Sequence, residues 1–338
     1  MIVNDAAPSI VVRMPNWLGD TVMALPALAA LRAAWPEARI TAIGRWATLL
    51  SGQSVADVLL PYPRRLKERL DLGRSMRQDP PDLAILLVNS LESALAAWSW
   101  GAKRRVGFDT DGRRPLLTHS VPLPSPRRHQ IDEYAVLVGA HGVELGDHVT
   151  PAWRVPARTA PDTEVDALVG TTGLRRDARI VGLHLGAAFG PSKLWPPAFF
   201  GRLAARLERG GLCPLLLGSA EDRETALQVA AAAEVPLPSL VGRDHPAMLP
   251  GLLARLACLV SGDTGVAHLA AALGVPTVTL FGPTDPRLTA PRGETARVLF
   301  RSVGCSPCFL TDCPIDHICL RNIPPEEVES HVRAAVGA

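Results

Sequence analysis

Aromatic side chains are scarce in this 338-residue chain: they make up 5%, with only 2 tyrosines. Interior volume must then be filled by Ala, Leu, Val, Gly and Pro, which suits buried strands and closely packed helices. Neither sign of charge is in excess. A formal net charge of +2 is too small for the basic stripe of a nucleic-acid binder, so no nucleic-acid partner is expected. The start, Met1-Ile-Val-Asn-Asp, has no basic stretch followed by an apolar run, so no signal peptide is expected and the chain should stay in the cytosol. Thr264 to Thr284 lacks acidic and basic residues apart from His268 and is long enough to span a bilayer, but Gly274 and Pro276 divide it into a buried helix and a strand. No Gly-x-Gly-x-x-Gly turn follows the first apolar run, which argues against an NAD-dependent oxidoreductase.

The length fits two domains of roughly 100–200 residues each. Ile10–Val12 reads as a buried strand that runs into Arg13-Met14-Pro15-Asn16-Trp17-Leu18-Gly19-Asp20. Val22, Leu25, Leu28, Leu31 and Trp35 then recur at helical spacing, with Asp20 placed to cap the start and Pro26 marking a kink or a fresh start. Apolar runs at Ile40–Ile43 and Leu83–Val88 alternate with helical patterns at Leu66–Met76, Ser90–Trp98 and Ile131–Ala140. After a Pro-, Thr- and Arg-rich stretch the alternation restarts. Strands are expected at Ile180–Leu185, Cys213–Leu217, Cys258–Val260 and Thr277–Phe281, and helices at Pro197–Glu208, Arg223–Ala233, Val266–Leu273 and Pro325–Val336. The expected organisation is an α/β domain over 1–155, a linker over 156–178, a second α/β domain over 179–324, and a terminal helix over 325–338 that packs back on the first domain.

Ligands of such sheets bind beyond the carboxyl ends of the strands. Three strand ends in the second half carry candidate chemistry. Ser261-Gly262-Asp263-Thr264-Gly265-Val266-Ala267-His268 opens a helix whose free N–H groups favour phosphate oxygens, although a capped helix with a satisfied histidine explains the same residues. Phe189-Gly190-Pro191-Ser192-Lys193-Leu194-Trp195-Pro196 contains one cation, Lys193, which would neutralise a diphosphate or stand solvated at the surface. In Gly218-Ser219-Ala220-Glu221-Asp222 a carboxylate could accept ribose hydroxyls or cap the next helix.

Taken together and in order, Pro15–Asp20, the Phe189–Pro196 loop, Gly218–Asp222 and Asp263–Leu273 resemble the bacterial ADP-heptose:lipopolysaccharide heptosyltransferases of glycosyltransferase family 9 over nearly the whole chain. Val88-Asn89-Ser90 and the Phe-Gly-Pro-x-Lys form of the loop look most like the heptosyltransferase II branch. The resemblance implies a GT-B fold, two Rossmann-like domains facing across a cleft. It implies an inverting enzyme that needs no metal, moving heptose from ADP-L-glycero-β-D-manno-heptose to the heptosyl-Kdo2-lipid A inner core at the cytoplasmic face of the inner membrane. On matching positions, Asp20 would be the general base and Lys193 would stabilise the diphosphate. Glu221 would meet the nucleoside, and Asp263, Thr264, Gly265 and His268 would line the diphosphate and sugar. Asn89 would belong with the acceptor contacts.

Arg64, Arg65, Lys67 and Arg69, with Arg104, Arg105, Arg113 and Arg114, form basic clusters that suit an acceptor carrying carboxylates and phosphates, or simply a solvated surface. Arg64 and Arg65 are the acceptor candidates. Cys305-Ser306-Pro307-Cys308 is a zinc half-site by spacing, but Cys313 and Cys319 complete it irregularly. A structural zinc and free thiols both remain open.

Overall fold

The computed structural model describes residues 7–146, 149–154, 160–175, 177–243 and 245–338. The amino-terminal residues read above for a signal peptide lie outside them, as does part of the expected linker.

Two compact units divide the chain, Met1–Ala152 and Trp153–Ala338. The first contains six strands: β1 (Ser9–Arg13), β2 (Arg39–Ile43), β3 (Val58–Leu60), β4 (Leu83–Leu86), β5 (Arg104–Phe108) and β6 (His119–Val121). They form one parallel sheet in the order β3-β2-β1-β4-β5-β6. β1 is flanked on both sides, Val12 pairing with Ala42 and with Ile85. That central position explains its unbroken apolar run, since parallel strands are covered on both faces. Val11, Ile43, Ala84 and Leu86 pack with Ala94, Ala97 and Trp100 of the following helix. Pro26 begins a new helix. One helix ends at Met23 and the next, Leu25–Ala34, holds the proline in its first turn, where no N–H is needed.

The second unit contributes β7 (Ile180–His184), β8 (Cys213–Leu217), β9 (Cys258–Gly262), β10 (Thr277–Phe281) and β11 (Ala296–Phe300), parallel in the order β11-β10-β9-β7-β8. A single parallel bridge from Leu216 to Ser239 adds a rudimentary strand outside β8. With it, both sheets follow the doubly wound order 3-2-1-4-5-6. In each, the chain reverses its winding between the first and fourth strands, and such a switch point opens a crevice at the strand carboxyl ends. Here those pairs are β1 with β4 and β7 with β9.

The terminal helix Pro325–Val336 buries Val328 and Val332 in the core of the second unit with Trp195, Phe200 and Leu203. Glu329 fixes it there by pairing with Arg206 at 2.5 Å. The expected linker contains a helix, Ala160–Gly170, whose Val165 is fully buried and whose Asp166 pairs with Arg255 at 2.7 Å. One buried apolar residue is too weak a periodic signal to announce that helix. Among the described residues, no helix is long and apolar enough to cross a membrane.

Candidate functional site

In the second unit, β7 and β9 are neighbours in space although β8 lies between them in sequence. The segments leaving their carboxyl ends therefore meet. Lys193, in the short turn Pro191–Lys193, hydrogen-bonds through Nζ to the Asp263 carboxylate and, at 3.2 Å, to the Asp263 carbonyl. Both side chains are nearly buried, 11% and 6% exposed, which excludes the reading of Lys193 as a solvated surface lysine. Thr284 donates to the same carboxylate oxygen at 2.7 Å. Asp263 is thus occupied in holding Lys193. Gly262 is required here, because a Cβ would lie 2.9 Å from the Lys193 carbonyl oxygen.

The helix Gly265–Ala272 begins beside this pair. Its N-cap, Thr264, makes no side-chain cap and instead turns its hydroxyl to Ser261 at 2.9 Å. Ser261 in turn reaches His184 Nδ1 at 3.3 Å. The first helical N–H groups are left for a ligand, and with the macrodipole they form an anion site next to the Lys193 ammonium. Desolvation brings the His184 pKa down to about 4, against an opposing pull from Asp222, so this ring is neutral near pH 7. His268 is buried within the helix.

At the end of β8 the two neighbouring carboxylates have different tasks. Asp222 closes a capping box on Ser219, accepting from its N–H at 2.7 Å and its hydroxyl at 2.9 Å. Glu221 is exposed, and no hydrogen bond to its carboxylate is seen among the described residues. A Cβ at Gly186 would stand 2.5 Å from the Asp222 carboxylate, so the turn after β7 depends on a glycine.

In the first unit, Asp20 lies in the first turn of the helix Leu18–Met23 but does not cap it. The N-cap is Trp17, without a side-chain bond. Asp20 stands near the buried Tyr134, whose pKa is raised first by burial and then by the Asp20 and Glu133 carboxylates. Arg13, 1% exposed, ends β1 and donates to Asn16 Oδ1 at 2.9 Å. Its guanidinium lies 3.7 Å from the centre of the Tyr62 ring. Burial lowers the Arg13 pKa, while Tyr62 and Glu92 oppose that shift. Tyr62 donates to Glu92, and its own pKa is pushed up to about 12 by burial and by that carboxylate.

Asn89, after β4, accepts a hydrogen bond at Oδ1 from Arg113 Nη2 at 3.1 Å. Arg113 also donates to the Phe108 carbonyl at 2.8 Å and to Ser93 Oγ at 3.1 Å. It is fully buried, with its pKa lowered to about 10 by desolvation, so it is no part of a surface cluster. Arg105 is likewise structural, bonded to the carbonyls of Leu116 and Ala102 at 2.7 and 2.6 Å. Arg64 and Arg65 are exposed at the start of the helix Leu66–Gln78. Sequence reasoning missed Arg13, Tyr62 and Glu92, which come together from the end of β1, the segment after β3 and the first turn of the helix Leu91–Ser99 and leave no periodic trace.

The cysteine segment lies against the turn Pro191–Lys193. Among the described residues, no three His, Cys, Asp or Glu side chains gather to hold a metal, and all six thiols are free. Cys319 is buried and its pKa is raised by that burial, with smaller contributions from Cys313 and Cys305. The segment supports the lysine turn. Ser192 donates through its hydroxyl to the Leu310 carbonyl at 2.6 Å and through its N–H to Thr311 at 3.0 Å, and His317 Nε2 meets the Pro191 carbonyl at 3.1 Å.

Residues 69–319 match the profile of glycosyltransferase family 9 (heptosyltransferase). Over 305 residues the chain is 30% identical to lipopolysaccharide heptosyltransferase 2 of Salmonella typhimurium, spanning 86% of this chain and 87% of that protein. It is 34% identical over 282 residues to lipopolysaccharide heptosyltransferase 1 of Pseudomonas aeruginosa, spanning 79% and 69%. The solved structure of Escherichia coli ADP-heptose lipopolysaccharide heptosyltransferase II matches with a TM-score of 0.81 at 28% identity, over 97% of this chain and 98% of that one. Two successive α/β units with parallel sheets, matched in this way, are the GT-B fold.

Proposed function

The chain belongs to glycosyltransferase family 9 and is a glycosyltransferase; from that premise we propose that it moves heptose from ADP-L-glycero-β-D-manno-heptose to the heptosyl-Kdo2-lipid A inner core of lipopolysaccharide. The observation that carries this reading is the Lys193–Asp263 pair beside the open start of the helix Gly265–Ala272, at the switch point of the second sheet. An ammonium and free N–H groups converge where a diphosphate leaving group needs compensating charge. Glu221 then meets the ribose, and Thr264, Gly265 and His268 line the diphosphate and sugar. Asp20 takes the proton from the acceptor hydroxyl as its oxygen attacks the anomeric carbon. The bond from that carbon to the diphosphate oxygen breaks, ADP leaves with the electron pair, and a single displacement inverts the centre. Asn89, Arg64 and Arg65 hold the acceptor, and transfer takes place in the cytoplasm at the surface of the inner membrane.

The 34% identity to a heptosyltransferase 1 supports a second reading, in which the acceptor lacks the first heptose. Thermal melting with ADP-heptose, ADP, UDP and NAD tests the donor. At 100 times its dissociation constant a true ligand stabilises by about 2.7 kcal/mol, so ADP-heptose and ADP are expected to raise Tm while UDP and NAD do not. A shift with NAD alone would refute the transferase reading. No divalent cation enters this chemistry, because Lys193 and the helix start supply the positive charge. EDTA is expected to leave kcat unchanged, and a strict dependence on Mg²⁺ or Mn²⁺ would contradict that role for Lys193.

A further inference from the structure

Two helices of the first unit carry large apolar side chains into solvent. On Leu66–Gln78 these are Leu66 and Leu70, 71% and 51% exposed; on Leu91–Ser99 they are Leu91, Leu95 and Trp98, at 40%, 45% and 52%. The helices pack on each other. A Cβ on Gly73 would lie 3.1 Å from Ser99 Oγ, Arg69 pairs with Glu92 at 3.3 Å, and the Arg77 guanidinium sits 6.0 Å from the centre of the Trp98 ring. Leu66, Leu70 and Arg77 share one helical stripe, and Leu91, Leu95 and Trp98 share another. Ala94 and Ala97 face the core, so both apolar stripes flank the outer side of the seam.

Cations outnumber carboxylates around this face, and most of the carboxylates are already paired. Arg64, Arg65, Lys67, Arg74 and Arg77 are exposed along the first helix and its entry. Of the nearby carboxylates, Asp71 pairs with Arg74 at 2.7 Å, Glu92 is held by Tyr62 and Arg69, Asp79 pairs with Arg39 at 3.7 Å, and Asp111 accepts from the Leu91 N–H at 2.7 Å, while Glu68 projects from the opposite side of its helix. We infer that this two-helix face docks on a lipid bilayer carrying anionic headgroups. The leucines and Trp98 enter the boundary between headgroups and acyl chains, and the cations meet lipid phosphates. Exposed apolar stripes ringed by arginine and lysine fit that boundary on both counts. The inference does not depend on the sugar transferred, because phospholipid alone supplies the chemistry.

The test is sedimentation of the full chain with phosphatidylcholine vesicles, with and without phosphatidylglycerol and free of any glycolipid. Wild type is expected to bind the anionic vesicles and to be released by high salt. Leu70→Ser/Leu95→Ser/Trp98→Ser should lower the partition coefficient roughly fivefold per side chain, ~100-fold together. Lys67→Gln/Arg74→Gln/Arg77→Gln should lower it by about the same factor on anionic vesicles only. An unchanged Tm and ADP-induced shift show that the variants are folded. Wild type that ignores anionic vesicles, or variants that bind as wild type does, would overturn the inference. Binding to vesicles without any heptosyl transfer would instead count only against the proposed function.

Discussion

Asp20→Asn is expected to reduce kcat by ~10²–10⁴, the range for loss of a general base, with little change in ADP affinity. Asparagine keeps the shape of the side chain but cannot accept the acceptor's proton. The capping explanation does not apply, because Trp17 is the N-cap and Asp20 lies within the first turn. Part of the structural cost of the change is the lost attraction between a carboxylate and the helix start, about 0.3–1 kcal/mol, and the Tm of the variant reads the whole of it. The proposed ADP site lies at the ends of β7, β8 and β9 of the second unit, so a fall in rate without a fall in ADP affinity identifies a chemical role. Single-turnover transfer alongside calorimetric ADP binding measures both. A variant keeping more than about a tenth of the wild-type rate would return Asp20 to a structural role.

Lys193→Ala is expected to act on two quantities at once. Removing a preorganised cation from a developing diphosphate charge should cost ~10²–10³ in kcat. The same change strands the Asp263 carboxylate, 6% exposed, with Thr284 as its remaining neutral donor. Breaking a buried pair from one side destabilises by roughly 3–5 kcal/mol, so a lower Tm accompanies the lower rate. The double variant Lys193→Ala/Asp263→Ala separates the two effects, since it removes the stranded charge without restoring the cation. Its Tm should recover much of the loss while kcat stays low. If kcat recovers together with Tm, Lys193 serves the fold and not the leaving group.

Four strands of the second sheet were legible because each reads as a short, largely buried apolar run, as in Cys213–Leu217 and Thr277–Phe281. Other strands were hidden. Val58–Leu60 and His119–Val121 are only three residues long, Arg104–Phe108 begins with two arginines, and Ala296–Phe300 is an edge strand with an exposed arginine inside it. Of the candidate site, the strand-end loops could be read from turn residues following apolar runs, and Lys193 and Asp263 were both named from them. Their pairing could not be read, because it joins residues 70 apart through the β7–β9 neighbourhood. Tyr62, Arg13 and Glu92 were missed for the same reason. The division of labour between Glu221 and Asp222 depends on which side chain turns back onto Ser219, which spacing does not encode. Cysteine spacing does not encode the contacts by which that segment supports the turn that carries Lys193.

Heptosyl transfer to an acceptor that already carries one heptose is decided by offering purified protein ADP-L-glycero-β-D-manno-heptose with Kdo2-lipid A or heptosyl-Kdo2-lipid A, in separate reactions, and weighing the products by mass spectrometry. One added heptose on heptosyl-Kdo2-lipid A, release of ADP, and no product from Kdo2-lipid A are expected. Addition to Kdo2-lipid A alone, or ADP release with neither acceptor extended, would refute the proposed acceptor.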